Sequence, residues 1–290
     1  MNPDPGGTAF RRPWQMNELG LMHVLYPCDP LNAKRCDEFY TAEFAATDSV
    51  GIGASVFSFE EFQAGSFRVF PTPPSNSTIV YRGWMLSCTE YERFESAISQ
   101  SGGRLLTDAQ TYILTHYLPN WYPLISELTP ETRFFPTNAD LAVELRSLGW
   151  NKYFIKDYVK SLKTSTGSII STPEQAANVV SEMRQFRGTI EGGFCVRQVE
   201  NFLPETEKRY FVLNSVPCSL GGEIPSIVKE CAQRIRSPFF SVDVVQRADG
   251  VLRVVEIGDG QVSDLVGWTP ARFAEILAEH FGGKTLHEKL

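Results

Sequence analysis

No run of the 290-residue chain approaches the about 18 consecutive apolar residues of a membrane span, so no membrane partner is expected. Residues 1–19 carry prolines, glycines and Arg11–Arg12 but no apolar core of a secretory signal. They read as a disordered leader, with Met16 as an alternative start. None of the six cysteines forms a C-x-x-C pair or a zinc-like group with histidine, which points to reduced thiols in a cytoplasmic protein. Histidine is scarce, with four residues scattered singly. Neither G-x-x-x-x-G-K-[ST] nor a strand-linked G-x-G-x-x-G occurs, which argues against P-loop and Rossmann phosphate sites. A net charge of −7 leaves no basic footprint for nucleic acid.

What is present is enough apolar character, 42%, to bury a core, and a length that suits two domains. "GLMHVLYP" predicts a buried strand, "CDEFYTAEFAATDSVG" a helix, and "IGASVFSFEEF" and "STIVYRGWML" further strands. "TEYERFESAISQSGG" predicts a helix with a Thr89–Glu92 capping box and Tyr91, Phe94 and Ile98 on one face. Strands alternating with helices indicate an α/β domain over residues 20–128. "PNWYPLISELTPETRFFPTNADL", dense in proline and aromatics, suits a connection. A mixed α+β region over 129–290 follows. It has helices at "TNADLAVELRSLGW" and "STPEQAANVVSEMRQFRG", a strand at "KYFIKDYVKS", and strands at "GFCVRQVENF" and "KRYFVLNS". A helix near "IPSIVKECAQRI" and a terminal helix "TPARFAEILAEHFGG" complete it.

The stretch "FFSVDVVQRADGVLRVVEIGDGQ" reads as a hairpin turning at Asp249–Gly250. A two-residue turn pairs residues equidistant from it. Asp243 lies six before the turn and Glu256 six after, so the two acids oppose one another; an odd loop would break this register. Val245 and Val254 pair likewise. Opposed carboxylates repel, and three remedies exist: protonation of one, neutralising arginines, or a hard divalent cation between them. Arg253 should point to the opposite face, so the cation is favoured.

Upstream, "FIKDYVKSLKTSTGS" sets Lys156, Tyr158 and Lys160 on one face if extended, with Lys163 and Ser168 in a polar loop. This suits phosphate, or equally a solvated basic edge strand. Arg197 and Arg209 suit phosphate or a substrate carboxylate, and Glu200 and Glu207 suit ribose hydroxyls. Arg82, in "VYRGWML", suits either a carboxylate clamp with Trp84 as its wall or a salt bridge between domains.

This order of motifs resembles the ATP-grasp superfamily over residues 130–290. The phrases "KDYVKS" and "VEIGDGQVS" resemble the clade named for one arginine and two lysines. "LYPCDPLNAKRCDEFYTAEF" and "VYRGWML" are similar to that clade's preceding domain. The resemblance implies an ATP-grasp fold with an N-terminal α/β pre-ATP-grasp domain, a lysine-strand subdomain over 129–195 and a metal-binding one over 196–290. It implies ATP and Mg2+ as cofactors. Lys156 would meet phosphate, the Gln198–Val199 backbone adenine, Glu207 ribose, and Arg209 phosphate or substrate. Asp243 and Glu256 would be magnesium ligands. Where many family members read Glu-Ile-Asn, this chain reads Glu256-Ile257-Gly258-Asp259, so Asp259 or Gln261 is expected to supply the third metal contact. Arg133 stands in for the family's early lysine.

The implied activity is ATP-dependent joining of a small-molecule carboxylate to an amine through an acylphosphate, with amino-acid or small-peptide substrates. Rival readings are an ATP-dependent small-molecule kinase, a nucleotide-binding protein without turnover and, least supported, a glycoside hydrolase using the acid pair. A homodimer is left open.

Overall fold

The computed structural model describes residues 21–159 and 167–282. The N-terminal part runs β1 (Met22–Asp29), β2 (Asn32–Cys36), α1 (Thr41–Ser49), β3 (Gly53–Phe57), α2 (Phe59–Gln63), β4 (Val69–Phe70) and β5 (Thr78–Tyr81). It continues through α3 (Cys88–Gln100), β6 (Arg104–Leu105), α4 (Ala109–His116) and α5 (Leu118–Ile125). The sheet order is β4-β3-β1-β5-β6, with β2 paired to β1. β1 is buried from Met22 to Cys28 and runs parallel to β3 and β5. An apolar run covered on both faces takes that central place.

Next come β7 (Thr132–Phe135), α6 (Leu141–Leu148), β8 (Tyr153–Asp157), β9 (Ile169–Ile170), α7 (Ala176–Arg187) and β10 (Phe194–Gln198). Their strands form the antiparallel sheet β7-β10-β8-β9. Leu141 and Leu145 of α6 and Val179 and Met183 of α7 pack on the sheet face that carries Ile155, Phe194 and Val196. The last part holds β11 (Phe202–Leu213), β12 (Val216–Cys218), α8 (Ser226–Arg234), β13 (Phe239–Arg247), β14 (Leu252–Asp259) and α9 (Pro270–Phe281). Its sheet order is β12-β11-β13-β14.

The third sheet is apolar on both faces, because each face meets a different layer. Phe211, Leu213 and Phe239 join α9 and the first sheet's Val24, Tyr26 and Val80 in one core. Phe240, Val242, Val244 and Ile257 face α8 and α5 in another. The third sheet is thus wedged against the N-terminal sheet through α9.

Several boundaries differ from the sequence-based expectations, each for a local reason. The capping box of α3 is Ser87 with Glu90, two residues before the expected pair, and Tyr91, Phe94 and Ile98 are buried as expected. The strand expected through residue 62 stops at Phe57, because the Ser58 hydroxyl accepts from the Glu61 amide and starts α2. The segment expected as a connection holds α5 and β7. Leu118, Trp121 and Ile125 recur at helical spacing and bury one face, while Pro119 sits in the first turn, where its missing N–H costs little. β8 ends at Asp157, so Tyr158 does not continue the lysine strand.

Candidate active site

Asp243 and Glu256 do face one another across β13 and β14, but by a route different from the expected one. The turn is not Asp249–Gly250 alone. Arg247 N–H donates to Val251 O at 2.8 Å, so Ala248, Asp249 and Gly250 form a three-residue loop, with Gly250 at φ 91°. That odd loop shifts the register by one, and Val244 rather than Val245 faces Val254. A bulge between the Asp243 and Val244 pairs then leaves Val255 unpaired and restores the acid–acid register. Two one-residue offsets cancel. The carbonyl of bulged Val255 accepts from Arg197 Nη1 at 2.5 Å.

Each acid also has a cation. Arg209 lies directly across from Asp243 on β11 and grips it with Nε–Oδ1 and Nη2–Oδ2 at 2.7 and 2.6 Å. Lys156, from β8 of the other sheet, reaches Glu256 Oε1 at 3.1 Å. Arginine neutralisation, one of the remedies considered, is therefore present at Asp243. Burial pushes the Asp243 carboxyl up despite Arg209, with Glu256 adding to the rise. Burial also acts to raise Glu256, but Lys156, then Arg209 and Arg197, outweigh it and the net shift is downward. The Glu256 side chain keeps 46% of its surface open, against 6% for Asp243, so it is the more accessible of the two acids. Glu207, exposed and two residues before Arg209, is shifted up by partial burial and by the fields of Asp243 and Glu256.

Arg197 is buried; it also donates to Thr129 Oγ1, and its Nε has no partner among the described residues. Burial lowers it to about 10, with Glu256 opposing. Thr129, which no sequence signal marked, ties the bulge as well, by donating to Val254 O at 2.8 Å. Gln198 and Val199 lie where the second sheet hands over to the third. Their amides donate to Glu131 O at 2.8 Å and Lys152 O at 3.3 Å. Ser168 is buried, and its carbonyl accepts from Ile155 N–H at 2.8 Å. Lys160 and Lys163 lie outside the described residues.

Five expectations need correction. Glu200 is taken by Arg253 at 2.8 and 3.0 Å and by Arg247 at 3.3 Å, so its carboxylate braces the hairpin base instead of facing a ribose. Arg133 pairs in register with Val196, whereas Lys156 pairs with Cys195; alternation puts Arg133 on the opposite sheet face, beside Glu131 at 2.5 Å. Asp259 is three residues beyond Glu256 and so faces the other way. It is fully buried, accepts from the Gln261 amide at 3.0 Å and the Thr115 hydroxyl at 3.4 Å, and burial raises it to about 7. Gln261 is fully buried too, held by Tyr81 N–H and Tyr91 Oη at 3.0 and 2.7 Å. Arg82, 2% exposed, is no open clamp: it holds Glu43 at 2.8 and 3.0 Å. Trp84 is 38% exposed, against the edges of Tyr40 and Phe59.

Among the described residues no three His, Cys, Asp or Glu side chains stand together as a metal cage. The hard oxygens of Asp243 and Glu256 nonetheless suit a magnesium ion that completes its shell with water and phosphate oxygens. Phe39, Ala42, Glu43, Asp264, Leu265 and Pro270 line a pocket of about 170 Å³ between α1 and the turn after β14. Its link to the acid pair is Asp264, whose carbonyl accepts from Arg209 Nη1 at 2.7 Å.

Residues 147–277 match the model of an ATP-grasp domain, family 3 of the clade named for one arginine and two lysines. No curated protein matches the chain. Among solved structures it is similar to the D-cycloserine synthetase DcsG, at 14% identity and TM-score 0.59, covering 90% of this chain and 100% of that one. It is similar to the ATP-grasp ligase PsnB complexed with minimal precursor, Mg and ADP, at 12% identity and TM-score 0.58, covering 91% and 100%. The D-alanine-D-alanine ligase from Coxiella burnetii aligns at 15% identity and TM-score 0.54 over 83% and 87%. At such identities the likeness is one of fold, and the fold is ATP-grasp.

Proposed function

On the premise that residues 147–277 match the ATP-grasp domain model of the clade of one arginine and two lysines, we propose that the chain is an ATP- and Mg2+-dependent ligase joining a carboxylate to an amine through an acylphosphate. Amino acids or small peptides are the substrates in this reading, and the cytoplasm its setting. The similar structures of PsnB with its precursor and of D-alanine-D-alanine ligase support that substrate class.

The observation that carries the reading is the Lys156–Glu256 contact at 3.1 Å. It joins a lysine on a strand of one sheet to the acidic hairpin of another, with Glu256 still half-exposed. Asp243 and Glu256 would hold the magnesium, with Glu207 adding to the negative field. A cation held by these two carboxylates would supply positive charge to offset the negative charge developing on a transferring phosphoryl group. Lys156 holds phosphate by its ammonium, and Arg209 orients Asp243 while presenting positive charge to phosphate or the substrate carboxylate. Gln198 and Val199, at the crossing between sheets, offer backbone to adenine. The chain's part is positioning and electrostatics, since the acyl and phosphoryl steps ask for little side-chain chemistry.

The test is a screen of amino-acid pairs for Mg2+-dependent ADP release, with mass spectrometry of the product. An amide plus free phosphate is expected; a stable phosphorylated product would point to a kinase. Glu256→Gln should abolish turnover while leaving the circular dichroism spectrum unchanged, and full retained turnover contradicts the reading.

A further inference from the structure

Arg82 joins parts of the molecule that are distant in sequence. It follows β5 in the N-terminal sheet, and its guanidinium grips Glu43 of α1 through Nε and Nη2 at 2.8 and 3.0 Å. Nη1 turns the other way and donates to three backbone carbonyls, those of Gly260, Gln261 and Ser263, at 2.9, 3.0 and 3.0 Å. The guanidinium carbon lies 4.6 Å from the Phe273 ring centre on α9. A planar fork with donors on several edges is the one side chain able to serve a carboxylate and three carbonyls at once.

Those carbonyls belong to the turn that immediately follows β14, the strand bearing Glu256. The same turn presents the Asp264 carbonyl to Arg209 Nη1 at 2.7 Å, and Arg209 holds Asp243 through its remaining nitrogens. The turn also lays Ser263 against Ser241, hydroxyl to hydroxyl at 2.8 Å, over Gly258. A Cβ at Gly258 would meet those hydroxyls at 2.9 and 3.0 Å, so a side chain there would displace the Ser241–Ser263 contact. Ser241 and Gly258 are register partners two residues along the hairpin from the acid pair.

We propose that Arg82 is a positioning residue for the acidic hairpin: by holding the 260–264 turn it fixes Arg209, and through Arg209 the carboxylate of Asp243, coupling the N-terminal sheet to the metal strands. It touches neither substrate nor nucleotide. This rests on the ligase reading only for its consequence in catalysis; the mechanical link from Arg82 to the turn stands independently.

Two measurements on Arg82→Lys separate these. Lysine keeps a charge for Glu43 but cannot reach three carbonyls. In the ligand-free protein, amide hydrogen exchange over residues 258–264 should accelerate at least tenfold, with α6 and α7 unchanged. Unchanged exchange in the turn overturns the link. The second measurement titrates Mg2+ calorimetrically into protein saturated with a non-hydrolysable ATP analogue. The variant should need about tenfold more Mg2+, the usual penalty for losing a residue that braces metal ligands, while analogue affinity in chelator stays as in the parent chain. Equal Mg2+ affinity overturns the positioning role, as does a raised KM for the acid substrate alone, which would mark Arg82 as a contact. Failure of the parent chain itself to take up Mg2+ with the analogue would overturn the ligase reading, with the exchange result still standing.

Discussion

Arg82 with Glu43 and Lys156 with Glu256 are both cation–carboxylate pairs, the first within the N-terminal part and the second between two sheets, yet they are opposites in what they leave free. Glu43 and Arg82 expose 8% and 2% of their side chains, and each guanidinium nitrogen is engaged. Glu256 leaves 46% exposed and is met by a single ammonium contact among the described residues. A pair ringed by carbonyls cannot exchange partners without exposing several buried polar groups. A half-open carboxylate held by one lysine can turn toward an incoming cation at small cost. Residue type alone does not separate a ligand site from a structural clamp; the number of partners and the open fraction do.

The comparison breaks most visibly by substituting Arg82. Arg82→Ala should cost about 3–5 kcal/mol of folding stability, because Glu43 is left buried without a counter-charge. Urea unfolding reads this directly; a loss under 1 kcal/mol would show the pair to be far better hydrated than its burial implies. Lys156→Met is the sharpening case. It keeps the packed stem and removes the charge, so stability should change by only about 1 kcal/mol, as for a partly exposed pair. ADP release should fall about 100-fold, the scale of losing one electrostatic contact to the reacting group. With Lys156 gone, the opposing effect of burial should dominate and raise Glu256, so the acid limb of the pH–rate profile should move to higher pH. A large stability loss with intact turnover would reverse the assignment of roles.

Local signals made much of this fold legible. Apolar β1, the Thr172–Gln175 capping box ahead of α7, Gly188 beyond its end and Thr269–Pro270 opening α9 all act within a few residues, which is the range a sequence displays. The facing of Asp243 and Glu256 was legible in outcome alone. Turn chemistry announced a reversal at Asp249–Gly250, but a three-residue loop offset by a bulge cannot be told from a two-residue loop without one. What stabilises the bulge, Arg197 on Val255 O and Thr129 on Val254 O, comes from elsewhere in the chain. Arg82, Glu200 and Asp259 carried the right chemistry for a site, and tertiary contacts at separations of 39, 53 and 144 residues assigned them to the framework.

Asp259 gives the smallest expected effect and a further contrast with Glu256, three residues away on the same strand. Its folded pKa, about 7, lies above its ordinary value of 3.8 because burial disfavours the charge. The neutral form is therefore the one the fold prefers. Its contribution to stability is complete below pH 3.8 and declines as pH rises through 7, since the unfolded chain releases the proton first. Between pH 6 and pH 8 this amounts to about 1.4 kcal/mol lost, the slope falling away as pH passes 7. Asp259→Asn keeps an acceptor for the Gln261 amide and offers the Thr115 hydroxyl a donor, so it should remove that slope while every other titrating group is shared with the parent chain. Chemical denaturation of both proteins at pH 6 and pH 8 reads the difference. Parallel pH dependence would mean that Asp259 is already ionised in the fold, and its hydrogen bonds would then have to carry a full buried charge.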